Sequence, residues 1–104
     1  MTNTSITRDM AKSRMQENKE ICFLCNNRIY HNANLHHVMN GQAYRSKSEE
    51  DGLVVYLHST CHRWLHDHSI SLQEMKKKAQ KVYEKEIGTR RQFIKRYGKN
   101  YLND

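Results

Sequence analysis

The sequence predicts an α+β domain, on three observations. Leu53-Val54-Val55-Tyr56-Leu57 is a short β-branched and aromatic run that fits one buried strand. Two helical patterns fill the chain beyond residue 70. Cysteine and histidine pairs at ligand spacing stand on either side of the polar stretch 39–52. With 104 residues and a hydrophobic share of 37%, the core is thin, and small domains of this kind are often stapled by a metal or a disulfide.

Taken in order, residues 1–20 read as a loose arm or a helix with a weak apolar side made of Ile6, Met10 and Met15. Residues 21–37 hold a cysteine pair, a polar turn and a short run ending at Leu35. Residues 39–52, polar and glycine-punctuated, read as a loop. After the strand at 53–57, a helix is expected from Thr60 or Cys61 to about His68, with Trp64 in its core. Ser71 and Glu74 form a capping-box pattern that starts a third segment. Leu72, Met75, Ala79, Val82 and Tyr83 then recur at helical spacing, and Gly88 suits the stop. Thr89 and Gln92 repeat the capping pattern, with Phe93, Ile94 and Tyr97 as the apolar face and Gly98 as the end. The division expected is an arm at 1–20, a metal-bearing core at 21–70 and a helical extension at 71–104.

Lysine and arginine number 18 against 11 aspartates and glutamates, a net charge of +7. That balance suits a polyanionic partner, nucleic acid being the commonest, although a solvated basic surface explains it as well. No apolar run approaches the ~20 residues that span a bilayer, so no membrane partner is expected. The polar N-terminus lacks the features of a signal peptide, which points to the cytoplasm. Three cysteines, an odd number, argue against a pure disulfide framework.

Cys22 and Cys25 form a CxxC, and His58 and Cys61 an HxxC. Each pair places two ligands across a tight turn, and together they match a closed Cys3His zinc site. A redox CxxC lacks its usual βαβ setting here, and buried apolar thiols are the plain alternative. His31 is the other candidate for the ligand assigned to His58.

The remaining imidazoles need a second explanation. His62 and His66 are four apart in a helical segment and share one face. His36 and His37 stand in tandem upstream. One ligand from that tandem completes three protein ligands and leaves one imidazole free beside the ion, the pattern of an open, catalytic metal site. His31 and His68 are read as surface or packing residues.

The pair His36-His37, a loop, an apolar strand and then His62-Arg63-Trp64-Leu65-His66 resemble the HNH, or ββα-metal (His-Me finger), nucleases. Paired cysteines on both sides are a common embellishment of that family, which makes this the zinc-knuckle type. The resemblance covers about residues 22–68. The tail, roughly 71–102, resembles small phage-encoded HNH-like proteins. It implies that His36, His62 and His66 hold the catalytic divalent metal (Zn, Ni, Mn, Co or Mg) and that His37 is the general base. It implies cleavage of phosphodiester bonds in DNA, or RNA, in a bacterial host's cytoplasm. The family's central loop-bracing asparagine falls near residue 52, where this chain has Asp51-Gly52. An all-imidazole set favours a transition ion over Mg. Arg45 and Arg63 are candidates for holding the phosphate, a solvated surface being the plain reading of each.

Adjacent side chains of a regular strand point to opposite faces. His36 and His37 can serve one phosphate only if the strand bends or bulges there. Two other functions remain open: a non-catalytic zinc-bound module that binds nucleic acid, and a phage-type protein that uses the scaffold to inhibit or recruit a host protein.

Overall fold

A computed structural model gives the fold of residues 12–102. Two strands, β1 (Asn34–His37) and β2 (Val54–Leu57), pair antiparallel. Four helices accompany them: α1 (Arg45–Glu50) between the strands, then α2 (Ser59–His66), α3 (Ser69–Glu86) and α4 (Arg90–Tyr97). The domain is therefore a small α+β unit. No helix among the described residues is long and apolar enough to cross a membrane.

All four residues of β2 are buried, as its apolar run requires. Leu53, Val55 and Leu57 join Val38, Met39, Leu65, Met75, Ala79, Tyr83, Phe93 and Tyr97 in one core cluster. The second edge of β2 is covered by side chains and by the backbone N–H of Phe23, which donates to the Tyr56 carbonyl at 3.1 Å. Ser13 Oγ donates to the Val54 carbonyl at 2.5 Å, and Gln16 Oε1 accepts from the Tyr56 N–H at 2.7 Å. Covering an edge in this way removes a template for unwanted strand pairing. Residues 12–20 accordingly run as irregular chain, not as the helix the apolar spacing allowed, and Ile6 and Met10 lie outside the described residues.

The expected loop at 39–52 contains α1 instead. Six residues are too few to show a helical period, so glycine and polarity dominated the reading. Buried Ser48 braces this segment. Its Oγ accepts from the Met39 N–H at 3.2 Å and donates to the Leu53 carbonyl at 2.5 Å, tying the end of β1 to the start of β2. Asp51 turns elsewhere. Its Oδ2 accepts from Arg96 Nε at 2.6 Å and Tyr97 Oη at 2.5 Å, fastening α4 to the end of α1. Gly52 has φ +71°, and a Cβ there would come within 2.9 Å of Arg14 Cγ, so the position admits little else.

The start of α3 also differs from expectation. It begins at Ser69 with no side-chain cap, so Ser71 and Glu74 lie inside the helix. The turn from α2 starts it: the His68 N–H donates to the Leu65 carbonyl and the Leu72 N–H to the His68 carbonyl. The capping box at Thr89 and Gln92 forms as read, and Gly98 closes α4 in the left-handed region at φ +80°.

Candidate metal centres and the histidine cavity

Two groups of potential ligands converge, and in each the donor atoms lie within 4.8 Å of one another. The first is Cys22, Cys25, His58 and Cys61. Its first half is a tight turn: the Asn26 N–H donates to the Cys22 carbonyl at 2.9 Å, and Asn26 takes φ +64°. Ile21 bridges Arg28 across the base of this turn. The second half caps α2, where His58 is the N-cap and Cys61 lies in the first turn.

The His58 ring is held in one tautomer. Its Nε2 lies 3.0 Å from the Arg28 carbonyl, which can only accept, so Nε2 carries the proton and Nδ1 presents a lone pair to the thiols. That nitrogen is 3.3 Å from Cys25 Sγ and 3.9 Å from Cys61 Sγ. A sulfur and a nitrogen on one tetrahedral zinc stand about 3.6 Å apart, from bond lengths near ~2.3 and ~2.05 Å. The Cys3His cluster is thus geometrically compatible with zinc. His31 is exposed and outside it. All three cysteines are free. Burial raises the Cys22 thiol, but hydrogen bonds from the backbone at Cys25, His58 and Leu24 outweigh it and bring it down to about 6. Burial and the other two thiols push Cys61 up to about 12. Cys22 is thus the thiol of the group most readily ionised, and the thiolate is the form that binds metal.

The second group is His36, His62 and His66. His36 is on β1; the other two project one turn apart from α2. Ring centres are 5.1 Å apart for His36 and His62, 5.5 Å for His36 and His66, and 4.8 Å for His62 and His66. His36 Nδ1 and His62 Nε2 are 3.2 Å apart, close to the ~3.3 Å edge of a tetrahedron with zinc–nitrogen bonds near ~2.05 Å. Asn34 Oδ1 lies 3.2 Å from His62 Nδ1 and accepts from the tautomer that carries its proton there, which leaves the Nε2 lone pair free to bind. His36 Nε2 is buried with no hydrogen-bond partner. Burial first, and then the neighbouring imidazoles, hold His36 down at about 3; the same causes lower His62. Both shifts favour the neutral ring at His36 and His62, the form that metal ligation requires.

An open cavity of about 340 Å³ lies over this cluster, lined by Leu35, His36, His37, Asn40, Gly41, Gln42, Arg45, His62 and His66. His37 reaches it from the end of β1 without the bulge the sequence argument required: His36 pairs with Val55 and His37 with Val54 in unbroken register. His37 Nε2 lies 2.8 Å from Glu49 Oε1 on α1. A carboxylate accepts, so Nε2 carries the proton and Nδ1 is the free base. Arg45 lines the cavity; Arg63 is exposed and does not. Trp64 is 44% exposed rather than buried, and stacks on His68 at 3.7 Å between ring centres.

Sequence reasoning missed Asn34, Ser48 and Glu49. Asn34 had a signal, since residues i and i+2 of a strand share a face and Asn34 therefore faces the way His36 does. Glu49 had none, because it sits in the helix read as a loop. No protein-family model matches the chain, and comparisons with curated proteins and with solved structures find no match.

Proposed function

We propose that this chain is a metal-dependent phosphodiester hydrolase of the HNH, ββα-metal type that acts on DNA or RNA. The observation that carries the reading is the shared cavity: it is lined by three clustered imidazoles and by a fourth, His37, backed by a carboxylate. A divalent ion held by His36, His62 and His66 supplies Lewis-acid stabilisation of charge developing on the phosphate and the leaving oxygen. Nitrogen ligands suit Zn, Ni, Mn or Co better than Mg.

His37 takes the proton of the attacking water at Nδ1. Glu49, on Nε2, fixes the tautomer and stabilises the imidazolium that results. The water oxygen bonds to phosphorus as the bond to the 3′ oxygen breaks. Arg45 offers a planar cation to the phosphate at the cavity wall. The Cys3His group, with zinc, pins the turn at 22–26 to the start of α2, which carries two of the three imidazoles. Ser48 takes the place of the asparagine brace expected near residue 52. Charge of +7 favours a polyanionic substrate, and no reader of base sequence stands out, so cleavage is expected with little sequence preference.

Plasmid nicking across the five candidate metals tests this. His37→Ala is expected to lower the rate about 10²–10⁴-fold while melting and DNA binding persist. A wild-type chain that nicks neither DNA nor RNA in any of these metals removes the reading. One tightly bound metal per chain instead of two then leaves a non-catalytic zinc module.

A further inference from the structure

The hydrolase reading leaves a basic feature of the C-terminal part unused. Lys76 on α3 and Lys99 beyond α4 both approach one ring: their Nζ atoms lie 5.6 and 5.2 Å from the centre of Tyr101. The ring is itself fixed. The Tyr101 N–H donates to Oε1 of buried Gln80 at 2.7 Å, and the ring packs edge-on against Phe93.

Neither ammonium has an acidic partner within 4 Å among the described residues; the ion pairs there use Arg14, Arg28, His37, Lys77, Arg90 and Arg96. Lys76 is half-buried, and its ammonium is disfavoured first by that burial and then by the charge of Lys99. Two cations near enough to act on each other, one partly stripped of water and neither paired with an acid among the described residues, are unfavourable until an anion joins them. The negative face of the ring offsets part of that cost and holds both long side chains in place, so less freedom is lost when they grip a ligand. The charge of Lys76 also acts on His36, after burial and the neighbouring imidazoles.

We propose that Lys76 and Lys99, held at the ring of Tyr101, form a phosphate-binding subsite that grips the backbone of a polynucleotide away from the reacting bond. This rests on the nucleic-acid reading above, but on different residues.

The test is fluorescence anisotropy of a short labelled DNA duplex with the zinc-loaded 104-residue chain, on a His37→Ala background so that the probe stays intact. Binding is followed from ~50 to ~200 mM KCl. Lys76→Gln and Lys99→Gln are each expected to weaken binding about threefold or more and to lower the salt slope by about 0.9. Lys76→Arg keeps the slope, and thermal melting checks that each variant folds. Lys77→Gln, whose native lysine pairs with Glu74 at 3.1 Å, serves as the control and changes less. A double Lys76→Gln, Lys99→Gln variant with unaltered affinity and slope overturns the subsite, as does a parent that fails to bind the duplex at the lowest salt. Lysine-dependent binding on this background, with a His37-bearing chain that cuts nothing, upholds the subsite and sinks the hydrolase; cutting by the His37-bearing chain with unaltered slopes does the reverse.

Discussion

The two ligand groups differ in how many donors they bring and in what surrounds them. Cys22, Cys25, His58 and Cys61 supply four donors, the number at which a tetrahedral ion is closed to solvent. His36, His62 and His66 supply three, beneath a cavity that also holds His37. The contrast extends to their supports. His58 is fixed by a backbone carbonyl, that of Arg28, while His62 and His37 are fixed by side chains, Asn34 and Glu49. A closed set tied to the backbone suits a staple, and an open set with a spare base suits chemistry. Helix α2 links the two, since His58 caps it and His62 and His66 project from it.

The largest expected effect breaks the closed set. With zinc in the Cys3His group, as proposed, Cys22→Ser or strong chelation is expected to remove a folding contribution of roughly 10 kcal/mol. A thin core does not offset that loss, so the cooperative melting transition seen by circular dichroism disappears. A Cys22→Ser chain that melts like wild type would show that the four ligands are not a staple.

The next effect separates the open set from it. Consider chain whose histidine cluster has been emptied by a mild chelator while the Cys3His ion stays. His36 is held near 3 in the fold against an ordinary value of 6.5. The unfolded chain therefore binds the extra proton between those values, and stability is lost as pH falls from about 6.5 towards 3. Denaturant titrations at several pH values are expected to show a loss of up to about 5 kcal/mol from this ring. His36→Asn should flatten that part of the profile, and equal profiles for the two chains would contradict burial of a neutral His36.

The smallest effect concerns the spare base. Glu49→Gln keeps the shape but removes the charge that steadies a protonated His37. Nicking is expected to slow about tenfold, a loss near ~1.4 kcal/mol, with the ligand group and its metal content unchanged. A slowing equal to that of His37→Ala would mean that Glu49 acts as more than a support.

Spacing made much of this legible. The CxxC and HxxC pairs and the i, i+4 histidines are local patterns, and local geometry places each pair on one turn or one helix face whatever the rest of the chain does. The same holds for the capping box at Thr89 and Gln92 and for the buried run at β2, whose own side chains favour those states. Trp64 was misread because helical spacing alone does not tell which face a neighbour will cover.

What the sequence by itself determined, then, was the inventory of ligands, their pairing within short segments, and the α+β class. Only the tertiary structure decided which pairs meet, that His37 stands against Glu49 rather than on a bulged strand, and that Ser48 rather than a residue near 52 ties β1 to β2. It also brought Lys76 and Lys99 onto one ring. The physical reason is range. Backbone geometry carries a local pattern over three or four residues, whereas contacts between distant segments depend on how the apolar faces of all the elements fill a common core.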